Sequence, residues 1–178
     1  MMILAGDCSV TPLGRVFNGT LCGIVMPLET SIVPPSAEPL HVPVVDRTLT
    51  RDTRLKIIDQ LCALVTRLHS RGILHGDIKP SNLLICSDGQ LRFCDFGCAF
   101  LEREAQPPKA LSVRYASPFL FRVRPMVPLS RAEDIYATGV SIWEIHTGLI
   151  PFGDVDSVHV VIKHLHDIPV LENSNETM

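Results

Sequence analysis

The chain has 178 residues, 46% hydrophobic and 20% charged, with a formal net charge of −3 and an isoelectric point near 6.1. That length builds one domain with its own core, and that balance of apolar to charged residues excludes a wholly disordered chain. The slight acidity points away from nucleic acid, no apolar run reaches the roughly 18 residues of a membrane span, and "MMILAGDCSV" has no basic leader. An intracellular protein with neither a nucleic-acid nor a membrane partner is expected.

In chain order, "VTPLGRVF" and "TLCGIVM" are two β-prone runs joined through Asn18-Gly19, which predicts a hairpin. The Pro-rich stretch "TSIVPPSAEPLHVPVV" follows and is incompatible with a helix interior. A helix of about twenty residues then starts near Thr50, with Leu55, Ile58, Leu61, Cys62, Val65 and Leu68 predicted as its buried stripe and Arg71-Gly72 as its stop. "NLLI" and "LRFC" flank Ser87-Asp88-Gly89-Gln90 and predict a second hairpin. An irregular segment is expected from Phe96 to Pro128. "SRAEDIYATGVSIWEIHTG" opens with a capping-box pattern, Ser130 and Glu133, and ends at Gly148 and Pro151. Ile135, Tyr136, Val140, Ile142, Trp143 and Ile145 put apolar groups on nearly all its sides, so it is expected at the buried centre. A short helix over 155–166 and a loose polar tail, "ENSNETM", close the chain.

The six cysteines, Cys8, Cys22, Cys62, Cys86, Cys94 and Cys98, form no C-x-x-C pair. They are expected as reduced, small core residues rather than zinc ligands.

The chemistry concentrates in "ILHGDIKPSNLLI", residues 73–85, where Asp77, Lys79 and Asn82 stand between two apolar runs. The predicted hairpin turns the chain back, so Asp95, just past its second strand, faces Asn82. An amide oxygen converging with a carboxylate fits a hard divalent cation such as Mg²⁺, shared with substrate phosphates. Asp77 then orients a hydroxyl and accepts its proton, and Lys79 neutralises charge on the group in transit. Those roles together describe metal-assisted phosphoryl transfer. His75 is expected as a packed structural histidine.

H-G-D-I-K-P-S-N followed by D-F-G resembles the catalytic loop and metal-binding motif of protein kinases. Around them, "GIVMPLE" is similar to the strand and hinge that hold adenine, "RYASPF" to the end of the activation segment, and "EDIYATGVSIWEIHTGLIPF" to the central helix of the C-lobe, with Asp134 at its buried Asp. The resemblance implies an α+β, protein-kinase-like fold: mainly the helical C-lobe over 29–170, a remnant N-lobe hairpin and hinge over 1–28, and a polar tail over 171–178. It implies ATP and Mg²⁺ as cofactors and a protein hydroxyl, of the Ser/Thr type, as acceptor. Asp77 corresponds to the catalytic base, Lys79 to the phosphate contact, and Asn82 and Asp95 to the metal ligands. Met26 corresponds to the gatekeeper, Pro27 and Glu29 to backbone contacts with adenine, Leu84 to the adenine floor, and Phe96 to a ring stacked near His75.

The sequence departs from the family pattern in places. Gly76 replaces an Arg that meets phosphate on the activation loop, so loop switching is expected to work differently. Phe119 stands where the family has Glu. No G-x-G-x-x-G occurs, and the lysines are Lys56, Lys79, Lys109 and Lys163, none before the hinge. A truncated N-lobe, with weak ATP binding and little turnover by this chain alone, is therefore expected. Two further readings follow: a pseudokinase-like interaction module that docks a protein on its exposed C-lobe surface, and a small-molecule phosphotransferase of the aminoglycoside type, in which H-G-D is common.

Overall fold

The computed structural model describes residues 1–33, 45–108, 110–122, 127–153 and 159–160. The Pro-rich stretch, the helix expected over 155–166 and the tail at 171–178 lie outside the described residues, apart from short flanks. In chain order the elements are helix α1 (Met2–Ala5), strands β1 (Gly14–Asn18), β2 (Thr20–Val25) and β3 (Thr30–Ser31), and helix α2 (Arg51–Ser70). Strands β4 (Ile73–Leu74), β5 (Leu83–Ile85), β6 (Leu91–Phe93) and β7 (Phe100–Leu101) follow, then helices α3 (Pro118–Arg122) and α4 (Arg131–Thr147).

Both predicted hairpins form. β1 and β2 pair antiparallel about Gly19, with a bulge between Val16 and Phe17. β5 and β6 pair antiparallel in register Leu83 with Phe93, and β3 adds to the outer edge of β5. The second turn is tied by the Asp88 carboxylate, which accepts the Gln90 N–H at 3.0 Å. β4 pairs with β7 separately.

α2 begins and ends as the sequence predicts. Thr50 caps it by accepting the Thr53 N–H, and Gly72 turns the chain out at φ +66°. The stripe is rotated from the expected one. Ile57, Leu61, Leu64, Val65 and Leu68 are buried, whereas Leu55 is 42% exposed and Cys62 faces solvent. Two overlapping i, i+3/i+4 rows can be drawn through this sequence, and packing of α2 on α4 and β6 selects the row through Leu64. Of the expected core cysteines, Cys8 and Cys86 are buried.

α4 lies against α2 and closes the core with Val140 and Ile145 buried as expected, but its buried face is more polar than the sequence suggests. Asp134, Thr138, Ser141 and Glu144 are buried and Ile135 is 60% exposed. The capping box also fails to close: Ser130 stands at the N-cap with no side-chain bond, and its carbonyl accepts the Glu133 N–H instead. The segment from Phe96 to Pro128, expected to be irregular, contains β7 and α3.

Three tethers hold the body around the loop that follows β4. The Arg54 guanidinium, itself buried, donates to the carbonyls of Ile145, Asp46 and Leu49, joining the start of α2 to the end of α4. The Val10 N–H donates to the Phe93 carbonyl, docking the N-terminal segment on β6, with Ala5 and Cys8 buried in the main core. His69 Nε2 meets Asp134 Oδ2 at 2.9 Å between the two long helices.

Candidate active site

Residues 75–82 form a loop between β4 and β5 that is fixed from below by one side chain. The Asp134 carboxylate accepts the His75 N–H and the Gly76 N–H, each at 2.9 Å, and meets His69 as well. Buried backbone donors need acceptors, and here a single carboxylate on α4 serves two consecutive ones. The bend this imposes places Gly76 at φ +73°, where a Cβ would lie 2.5 Å from the Cys98 carbonyl oxygen. Only glycine fits that position without displacing the Cys98 backbone.

His75 is fully buried, as expected of a structural histidine. Its ring packs on Phe93 and Phe96, with centroids 4.4 and 4.9 Å away, and its Nδ1 accepts the Asp77 N–H at 3.3 Å. Burial drives its pKa down against the pull of Asp134 and Asp77, so the ring is neutral at pH 7. Phe96 therefore stands where the sequence put it.

Above this base, three of the predicted polar groups meet. Asp77 Oδ2 accepts from Lys79 Nζ at 2.7 Å and from Asn82 Nδ2 at 3.0 Å. Lys79 Nζ also donates to Ser112 Oγ at 2.8 Å, and Asn82 Nδ2 to the Asp77 carbonyl at 2.8 Å. Burial raises the Asp77 carboxyl, but hydrogen bonds from Lys79, Ser112 and Asn82 together outweigh it and hold the group below the ordinary carboxylate value. Asp77 is thus ionised at neutral pH and only 13% exposed.

Asn82 uses its amide nitrogen on Asp77, so its oxygen remains for another partner. Its backbone carbonyl accepts the Cys94 N–H at 3.0 Å, which ties this turn to the residue preceding Asp95. Asp95 takes the left-handed conformation, φ +56°, with Oδ1 accepting the Gly97 N–H and its side chain exposed. An amide oxygen and an open carboxylate oxygen suit Mg²⁺, which prefers few protein ligands and keeps positions for water and phosphate.

The four expected adenine contacts are distributed differently. Met26 lines a cleft of about 580 Å³ together with Asp95, Phe96 and Cys94. Pro27 and Glu29 line a separate space beside Cys86 and Arg92, and the Glu29 carboxylate accepts the Ser87 N–H at 2.9 Å. Leu84 sits mid-strand in β5, between Ser31 and Arg92.

Comparison with known proteins identifies the architecture. The model of the protein kinase domain matches residues 37–177. The chain belongs to the protein kinase family. A probable serine/threonine-protein kinase, PknB, of Lactococcus lactis is 35% identical over 132 residues, 71% of this chain and 21% of that protein. The serine/threonine-protein kinase PrkC of Bacillus subtilis is 33% identical over 62% of this chain, and the serine/threonine/tyrosine-protein kinase HT1 of Arabidopsis thaliana 30% over 59%. The chain spans between 17 and 27% of the length of these three relatives. Kinases use ATP and Mg²⁺ and act on proteins as a family, and the described chain has the mixed helix and strand content of that fold.

Two contacts in this kinase chain were not foreseen. Ser112 belongs to none of the motifs above, yet it accepts from Lys79 beside Asp77. Tyr115, three residues on, donates its hydroxyl to Glu144 Oε2 at 2.6 Å, joining the same segment to α4. Both bonds link residues about thirty positions apart, and no local pattern announces them.

Proposed function

We propose that this chain carries the catalytic loop of a Ser/Thr-type protein kinase, which moves the terminal phosphoryl group of ATP to a protein hydroxyl. The observation that carries the reading is the Asp77 carboxylate, ionised and held by Lys79 and Asn82 on the loop between β4 and β5. Asp77 orients the acceptor hydroxyl and takes its proton as the phosphoryl group leaves ATP. Lys79 sits between Asp77 and Ser112 and offsets negative charge on the group in transit. Asn82 and Asp95 hold Mg²⁺, which neutralises phosphate charge when bound. Met26 borders the adenine in the cleft it shares with Asp95, whereas Pro27 and Glu29 line a separate space and Leu84 is not among the residues lining that cleft. The Lys79–Ser112 contact supports a protein acceptor, because it fixes the segment against which a peptide lies.

The chain has no lysine before Lys56 and no Gly-rich phosphate loop. Loss of one electrostatic contact alone costs about 10²–10³ in rate, so slow turnover and weak nucleotide affinity are expected of this chain by itself. The test is transfer from labelled ATP and Mg²⁺ to a pool of Ser/Thr peptides. Slow transfer that disappears in Asp77→Asn is the expected result; transfer that survives in Asp77→Asn contradicts the assignment. A second reading, a non-catalytic interaction module, draws on the apolar side chains that β1 and β2 leave exposed. It is favoured if nucleotide binds and no transfer occurs.

A further inference from the structure

The cleft beside Asp95 has Ile24 and Met26 on its other wall, both apolar. Asp95 is a carboxylate, so neither wall as it stands offers a positive charge to a phosphate chain. Sites of phosphoryl transfer set cations against the phosphates in addition to the metal. Lys79 is already shared between Asp77 and Ser112 on the acceptor side. Arg15 is the single lysine or arginine in the first 46 residues.

Arg15 stands in β1 directly opposite Ile24 of β2. Directly opposed residues of an antiparallel pair project from the same face, with Cβ atoms about 5 Å apart. The bulge between Val16 and Phe17 lies on the turn side of this pair and leaves its register intact. Because Ile24 lines the cleft, Arg15 projects on the cleft side of the hairpin. Its side chain is exposed and meets no acceptor among the described residues, whereas Arg54, Arg71, Arg92 and Arg131 each have one. Stability of the hairpin does not account for it, since an aliphatic residue makes the better partner for Ile24. The methylene stem can lie along Ile24 and carry the guanidinium past it. That planar fork of donors matches phosphate oxygens, which an ammonium meets only as a point charge.

We propose that Arg15 is a phosphate-binding residue: its guanidinium pairs with the phosphate chain of a nucleoside triphosphate whose Mg²⁺ is held by Asn82 and Asp95. This rests on the protein-kinase reading above and assigns to β1 a charge that no lysine ahead of Lys56 supplies. The test is calorimetry of the full chain with two probes, adenosine and the Mg²⁺ complex of the β,γ-imido analogue of ATP. Wild type is expected to bind the analogue more tightly than adenosine. Arg15→Gln is expected to lose about tenfold in affinity for the analogue, one charged hydrogen-bonded contact, with adenosine binding unchanged. Arg15→Lys, which keeps the charge without the fork, is expected to fall between. Thermal melts check that the variants fold; should Arg15→Gln not fold, Arg15→Lys decides, and wild-type affinity for the analogue in it overturns the proposal. The competing role for Arg15 is a charge that protects an exposed sheet edge from pairing with other chains. In that case Arg15→Gln aggregates more readily and binds the analogue as wild type does, which overturns the proposal. An equal loss for both probes also overturns it, because the hairpin rather than a phosphate contact has then changed. Magnesium-dependent binding of the analogue that is unaltered in Arg15→Gln removes only the role of Arg15; absence of that binding in wild type removes the kinase reading as well.

Discussion

The hairpins β1–β2 and β5–β6 use the same local device and finish in opposite surroundings. Each turns through a left-handed glycine, Gly19 at φ +75° and Gly89 at φ +74°. In the first, Val16, Phe17, Ile24 and Val25 are each 44–62% exposed; in the second, Leu83, Leu91 and Phe93 are buried. Turn chemistry is therefore local, whereas burial depends on what lies across the strands. α2 packs on β6, and Phe93 joins the stack beneath the Asp77 loop. The buried hairpin positions chemistry at both its ends, Asn82 before β5 and Asp95 after β6. The exposed one borders the cleft through Ile24, with Met26 just past the end of β2.

The largest effect expected from this contrast comes from emptying the buried hairpin. Phe93→Ala should cost about 3–5 kcal/mol in a urea titration, since it removes a buried ring packed against His75 and the edge of Phe96. A cost below about 1 kcal/mol would mean that β6 is not part of the core, since a large-to-small change there leaves a cavity. Next is Gly76→Arg, which restores the family's residue. The positive φ and the 2.5 Å approach to the Cys98 carbonyl predict a destabilisation on the order of 1–3 kcal/mol, read from the same titration.

A smaller, pH-dependent effect belongs to Glu144 on α4. Burial raises its carboxyl to about 7, against the hydrogen bond from Tyr115 that pulls it down. Between its ordinary 4.5 and about 7 the folded chain keeps a proton that the unfolded chain has released, so stability falls as pH rises through that window. The slope should approach roughly 1 kcal/mol per pH unit and flatten in Glu144→Gln, which melting curves between pH 4.5 and 8 would record. An unchanged slope would place the titration elsewhere. The smallest effect is expected at the exposed hairpin, where Phe17→Ser should stay within about 0.5 kcal/mol of wild type. A larger loss by urea titration would mean that something covers Phe17 in solution.

The same division explains what could be read in the sequence. Asn18-Gly19, Asp88-Gly89, Thr50 and Gly72 act within a few residues of themselves, and each marks its turn or cap correctly. That Asp77, Lys79 and Asn82 meet was legible for a similar reason, since six residues of chain hold all three. The buried face of α2 was not, because Leu55 and Leu64 are equally apolar and only α4 and β6 choose between them. The polar face of α4 was misjudged because Asp134 is buried by bonds to His75 and Gly76, 59 and 58 positions away. Ser112 and Glu144 matter through partners that no spacing rule connects to them.

The most direct test of the proposed chemistry is calorimetry of Mg-ADP with the wild-type chain and Asp95→Ala. Weak binding that requires Mg²⁺ and disappears in Asp95→Ala is the predicted result. Equal affinity in the two proteins, or binding indifferent to Mg²⁺, would contradict the assignment of Asp95 and Asn82 as the metal-holding pair beside Asp77.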